Sequence, residues 1–133
     1  LRLEKGQAKE KSRKMTNLLW VFLGGGLGSI VRYAMGDLLK SYSLVFPWGT
    51  FLANAISCIV LGYLLAYNLK TPLSPSYRLL LMTGFCGGFS TFSTFSSETY
   101  LLLQDGKYKL ALAYVVGSWI IGLLGIILGF RLL

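Results

Sequence analysis

Histidine is absent from this 133-residue chain, and its acidic side chains number only five. Without histidine there is no histidine-based triad, little scope for a zinc site of the common kinds, and none of the most frequent general base. Cysteine occurs only as Cys58 and Cys86, both inside apolar runs, where the residue behaves as a small buried hydrophobe rather than as half of a disulfide framework. Charge is scarce as well. The chain has 13 Lys and Arg, and outside its first 14 residues ten charges are spread over 119 positions. Soluble domains carry about 25% charged residues, and so thin a supply does not clothe a water-facing surface. A soluble globular enzyme does not fit; an integral membrane protein does.

The charges that exist are unevenly placed. Residues 1–14 hold Arg2, Lys5, Lys9, Lys11, Arg13 and Lys14 against Glu4 and Glu10, half of the net charge of +8. This segment reads as a basic, solvated and mostly disordered extension with a modest attraction to anionic lipid, ahead of a four-span unit at 15–133. No basic stripe is interleaved with aromatics on a soluble domain, so nucleic acid is not the partner.

Four apolar runs follow, at about Asn17–Leu38, Trp48–Asn68, Arg78–Gln104 and Leu110–Leu128. Each is long enough to cross a hydrocarbon layer of ~30 Å at ~1.5 Å per residue. The first begins like a signal peptide but leads to no small-x-small cleavage site and no polar mature domain, so it is retained. The connections at 39–47, 69–77 and 105–109 are short and carry Pro47, Pro72, Pro75 and Gly106. They leave no room for an extramembrane domain. With four spans, and with the first 14 residues set aside, Lys70, Arg78 and Arg131 fall on one side and Lys40, Lys107 and Lys109 on the other. Equal counts give no preferred orientation, which suggests an antiparallel homodimer with its two-fold axis in the membrane plane. Adding the N-terminal six makes the count nine to three, which favours an N-terminus-in orientation.

The third run differs from a lipid-facing helix. Gly84, Gly87 and Gly88 precede an unbroken hydroxyl and phenyl series at positions 89–97. Glycine raises the entropic cost of helix, and serine and threonine compete for its carbonyls, which predicts a break near Gly87 and Gly88. In hydrocarbon such a break survives only when buried in protein or lining a polar cavity. The alternative is that the glycines serve close helix packing, the ordinary role also of Gly24 and Gly28, one turn apart in the first span.

Polar groups inside the spans need partners. Arg32 lies near a span end and either snorkels or serves a vestibule. Asn54 brings two N–H donors into an apolar run, for a solute or as helix glue. Glu98 is a structural partner or a proton site. Phe85, Phe89, Phe92 and Phe95 recur at helical spacing, as a core stripe or as a wall whose positive ring edges suit a small anion. Tyr114 and Ser118, at i and i+4, offer donors to the same track. Weak neutral donors in series satisfy a channel's need for sites that hold an ion without trapping it. Residue chemistry leads to a small ion or polar solute, with an anion favoured. A small dual-topology proton-coupled exporter of cationic compounds and a non-transporting assembly subunit remain the rival readings, and an intramembrane enzyme finds no nucleophile–base pair.

The run GFCGGFSTFSTFSSE at 84–98 resembles the bacterial fluoride channel family, called Fluc or CrcB, as do the glycine-rich first span ending at Arg32 and Tyr33 and the stretch WGTFLANAISC in the second. The resemblance covers residues 16–133. It implies an all-α integral membrane protein of four transmembrane helices with a broken third, paired as an antiparallel, dual-topology homodimer in the bacterial cell membrane. It also implies two pores that pass fluoride rather than chloride and export it passively. On this resemblance Asn54, Phe92, Phe95, Tyr114 and Ser118 line the pore, Arg32 stands in the aqueous vestibule and Glu98 gives structural support. The resemblance further implies a structural sodium ion at the dimer centre, held by the backbone carbonyls of Gly87 and Ser90 from each copy.

Overall fold

The computed structural model describes the backbone of residues 2–133 and the side chains of residues 6, 7 and 9–133; Leu1 and the side chains of Arg2, Leu3, Glu4, Lys5 and Ala8 lie outside the described residues. All regular structure among them is helical. Helix α1 covers Arg2–Leu38 and α2 covers Trp48–Lys70. A third arm, α3, joins Pro75–Tyr77, a π-helical stretch Arg78–Cys86 and Gly87–Phe89. After a two-residue interruption, α4 covers Phe92–Gln104 and α5 covers Tyr108–Arg131. Three helices are long and apolar enough to cross a membrane, at Lys9–Leu38, Trp48–Lys70 and Tyr108–Arg131. The fourth crossing is assembled from α3 and α4, neither of which would span alone.

Local chemistry sets the boundaries. Ser74 caps α3, its Oγ accepting from the Tyr77 N–H at 3.4 Å, and Pro75 occupies the first helical position, where no N–H is needed. The turn after α4 passes through Gly106 at φ 71°, a left-handed geometry that costs glycine nothing. The Lys107 N–H reaches back to the Leu102 carbonyl at 2.9 Å and the Gly106 N–H to Leu103 at 3.1 Å, a Schellman closure of the helix end.

Two glycine seams hold the helices together. A Cβ on Gly24, Gly28 or Gly88 would strike backbone atoms of the facing helix in the α1–α3 pair, and one on Gly62 or Gly129 would do the same between α2 and α5. Small residues are what permit such close approach where no hydrophobic drive separates helix from lipid. Between the seams sits a compact aromatic core. Tyr114 is wholly buried with Leu102 and Ala111, and its ring meets Phe95 at 5.0 Å and Phe46 at 5.3 Å between centroids.

Two features add to the composition-based reading. Residues 2–14 continue into α1 without interruption. The run lacks proline and holds one glycine, and ion pairing one turn apart, Lys14 to Glu10 at 2.8 Å, supports it. The break expected near Gly87 and Gly88 falls just after the glycine pair. Gly87 keeps helical dihedrals (φ −66°, ψ −35°), while Ser90 (ψ 157°) and Thr91 (φ −151°, ψ 117°) are extended. Gly88 is instead used for packing against Gly25, and Asn54 decides where the helix stops.

Candidate functional site

Thr91 would bond its N–H to the Gly87 carbonyl in a continuous helix. Here that N–H donates to Asn54 Oδ1 at 2.7 Å, and Asn54 Nδ2 donates back to the Thr91 carbonyl at 3.3 Å. One amide side chain on α2 therefore replaces a helical turn's bonding on the third span. Thr91 also begins the next helix, its Oγ1 accepting from the Thr94 N–H at 3.3 Å.

The carbonyls at the end of α3 take donors from side chains, whether or not they keep a helical N–H. Cys86 O accepts from Ser57 Oγ at 3.0 Å, Ser90 Oγ at 2.9 Å and the Ser90 N–H at 3.0 Å. Gly88 O accepts from Arg32 Nε at 3.0 Å and, more weakly, from Ser29 Oγ at 3.5 Å. Gly87 has lost its helical partner at Thr91 and faces open space, with no atom within 4 Å of where a Cβ would stand. The α4 N-terminus meets the break from the other side, bringing the positive end of its dipole.

Two cavities border this elbow. A groove of about 360 Å³ is lined by Asn54, Cys58, Ser90, Thr91, Phe92, Phe95 and Ser118, with Trp119 and apolar residues of α5 beyond them. No charged side chain lines it. Ser118 Oγ is buried and has no hydrogen-bond partner among the described residues, a state that costs about 1–3 kcal/mol unless a ligand relieves it. A larger cavity of about 600 Å³ is lined by Arg32, Asp37, Lys40, Glu98, Thr91 and Thr94. Thr91 is common to both.

Phe92 and Phe95 stand 5.9 Å apart between ring centroids, one helical turn along α4. Phe95 is half-buried against Tyr114, whereas Phe92 is 76% exposed and leaves the groove open along one flank. The helix break separates this pair from Phe85 and Phe89, which pack together at 5.7 Å on α3. The four phenylalanines thus form two pairs and not one stripe.

Tyr114 does not share the groove with Ser118, despite their i,i+4 spacing on α5. Its hydroxyl donates to Glu98 Oε2 at 2.7 Å, and Thr50 Oγ1 donates to Glu98 Oε1 at 2.8 Å. Glu98 thereby ties α2, α4 and α5, and the Tyr114 ring buttresses Phe95 from behind. Replacing Tyr114 by phenylalanine is expected to cost about 1–3 kcal/mol by removing a donor to a charged group, read as a lower melting temperature in detergent.

Thr50 and Cys58 gained no role from sequence alone, although a signal was present. Thr50, Asn54, Ser57 and Cys58 recur at i, i+4, i+7 and i+8, one face of α2. That face is the wall turned toward the third span.

Residues 19–130 match the family described as “CrcB-like protein, Camphor Resistance (CrcB)”. The chain belongs to the CrcB family. Relatives named “Fluoride-specific ion channel FluC” include one from Oceanobacillus iheyensis, 49% identical over 119 residues, covering 89% of this chain and 92% of the relative. One from Phocaeicola vulgatus is 42% identical over 116 residues, with 86% and 96% coverage, and one from Pyrococcus abyssi is 45% identical over 117 residues, with 86% and 93%. Family membership and the long apolar helices make this CrcB chain a multi-pass membrane protein.

Proposed function

We propose that this CrcB chain is half of an antiparallel, two-fold homodimer that conducts fluoride passively out of the cell, and that it is not an enzyme. The observation that carries this reading is the junction at Thr91. There a cavity bearing Arg32 and a groove lined by Asn54, Phe92, Phe95 and Ser118 share a wall residue, and the buried Ser118 hydroxyl beside the groove has no partner among the described residues. The relatives named as fluoride-specific ion channels support fluoride as the ion.

The chemistry follows from fluoride's small size and tight hydration. Arg32 draws anions into the larger cavity while its Nε stays bound to Gly88. Asn54 Nδ2, the Ser118 hydroxyl and the ring edges of Phe92 and Phe95 replace water along the groove. None carries a full positive charge, so none traps the ion. Tyr114 belongs to this path as the support behind Phe95. Residues 15–133 form the conducting unit and residues 1–14 an appended basic segment.

The exposed Phe92 and the open flank of the groove favour a second copy as the missing wall. Pairing about a two-fold axis brings two elbows together at the centre. The Gly87 carbonyl, freed from its helical bond, and the carbonyl of extended Ser90 are oxygen donors suited to a hard cation such as sodium. One chain offers two such carbonyls and a symmetric pair offers four. A bound cation would neutralise the opposed dipoles there.

Glu98, the carboxylate a proton-coupled exporter would need, accepts two hydroxyl bonds and lines the larger cavity instead of the groove. Reconstitution into liposomes loaded with fluoride or chloride, with and without an ionophore to release the membrane potential, separates the readings. Rapid electrogenic fluoride efflux with little chloride efflux is expected; strict coupling to a proton gradient would overturn the channel. Phe92→Ile and Phe95→Ile, which keep apolar bulk and remove the ring edges, are each expected to lower fluoride efflux by more than about tenfold, some 1.4 kcal/mol of barrier, with dimerisation retained on size-exclusion chromatography. Unchanged efflux in both variants rejects this wall.

A further inference from the structure

The α5 wall of the groove carries a second donor beside the Ser118 hydroxyl. Trp119 lines the same groove, is 65% exposed, and its indole N–H makes no hydrogen bond among the described residues. Depth makes that placement costly. Trp119 lies ten residues beyond Lys109 and twelve short of Arg131. At ~1.5 Å per residue these are ~15 Å and ~18 Å, close to the middle of a hydrocarbon layer ~30 Å thick. Tryptophan ordinarily sits at the membrane surface, where its ring is buried and its N–H reaches water or headgroups. Acyl chains at mid-span offer no acceptor, so an indole turned to lipid there leaves its donor unmade. The α5 wall is otherwise poor in donors. Past Ser118 and Trp119 it consists of Gly122, Leu123 and Ile126, none of which has a side-chain N–H or O–H.

We propose that Trp119 is a further selectivity residue of the groove: its indole N–H donates to the anion beside the Ser118 hydroxyl, and its ring closes that flank against acyl chains. This assignment rests on the conducting groove proposed above. The chemistry sorts ions by sign. A serine hydroxyl turns to donate or to accept, and so serves either an anion or a cation. The indole nitrogen only donates, and so serves an anion alone. Being neutral, it holds the ion without trapping it. Trp20 Nε1 also lacks a partner, but Trp20 lines neither this groove nor the larger cavity, which makes it an internal control.

The full chain, isotope-labelled at its indole nitrogens, gives one N–H signal each from Trp20, Trp48 and Trp119 in a nitrogen–proton correlation spectrum. The signal missing from Trp119→Phe belongs to Trp119. Fluoride titrated into the protein in detergent is expected to move that signal and leave the Trp20 signal in place, while chloride at the same concentration moves neither. Trp119→Phe keeps an aromatic ring and loses the N–H. It is expected to lower fluoride efflux from liposomes by about tenfold or more, the scale of one hydrogen bond to a charged group, with unchanged elution on size-exclusion chromatography. A Trp119 signal that fluoride leaves in place, or that chloride moves equally, overturns the donor whatever the variant does to efflux. Undiminished efflux from Trp119→Phe overturns it as well. A parent chain that conducts fluoride while its Trp119 signal stays fixed rejects this assignment and leaves the channel standing. A fluoride-specific shift in a chain without efflux does the reverse.

Discussion

Exchange of Asn54 for alanine is expected to abolish fluoride efflux and to destabilise the protein at the same time. The amide pairs with both the N–H and the carbonyl of Thr91, and alanine reaches neither. Each peptide group left unpaired away from water costs about 1–3 kcal/mol, so the loss is about 2–6 kcal/mol. The cheapest repair is for the Thr91 N–H to return to Gly87 and heal the helix. That would carry Ser90 and Thr91 out of the junction between the two cavities. Efflux from liposomes should fall by at least about a hundredfold, equivalent to ~2.7 kcal/mol of barrier. Thermal unfolding in detergent should shift downward alongside it. An alanine variant with undiminished efflux would show that the elbow is not on the path.

Adjacent glycines should behave in opposite ways. Gly88→Ala places a methyl group against the Gly25 backbone, where no side chain can swing aside. Overpacking of this kind costs about 1–3 kcal/mol or more, because the helices must separate. The variant is expected to accumulate poorly and to melt well below the parent. At Gly87, one residue earlier, the same methyl group meets nothing within 4 Å. Within its own chain Gly87→Ala meets no obstruction, so it is expected to melt well above Gly88→Ala. Expression in membranes followed by a thermal-shift series checks the contrast. Equal behaviour of the two variants would mean that the α1–α3 seam is not as close as described.

Much of this was legible in the residues, and the remainder was hidden for physical reasons. The four crossings follow from long apolar runs, because hydrocarbon admits little else. The interruption follows from the glycine and hydroxyl density of the third run. Its position does not, because glycine propensity is local, whereas the residue that terminates α3 lies 37 positions earlier on another helix. The role of Tyr114 was obscured similarly. Its spacing to Ser118 places both on one side of α5, but the partners of that side change along the helix, from Glu98 and Phe95 to the groove. The α2 polar face was readable from periodicity once the third span supplied a reason to look for it.

The bracing of the Cys86 carbonyl has a consequence for the fold. Three donors converge on it, one from α2 and two from Ser90, while Arg32 of α1 grips the carbonyl two residues on. Donors from α1, α2 and the chain's own next turn thus meet at two neighbouring carbonyls, so the bend is a point where three separate elements are fastened together, and a change in any one of them is felt at the same place.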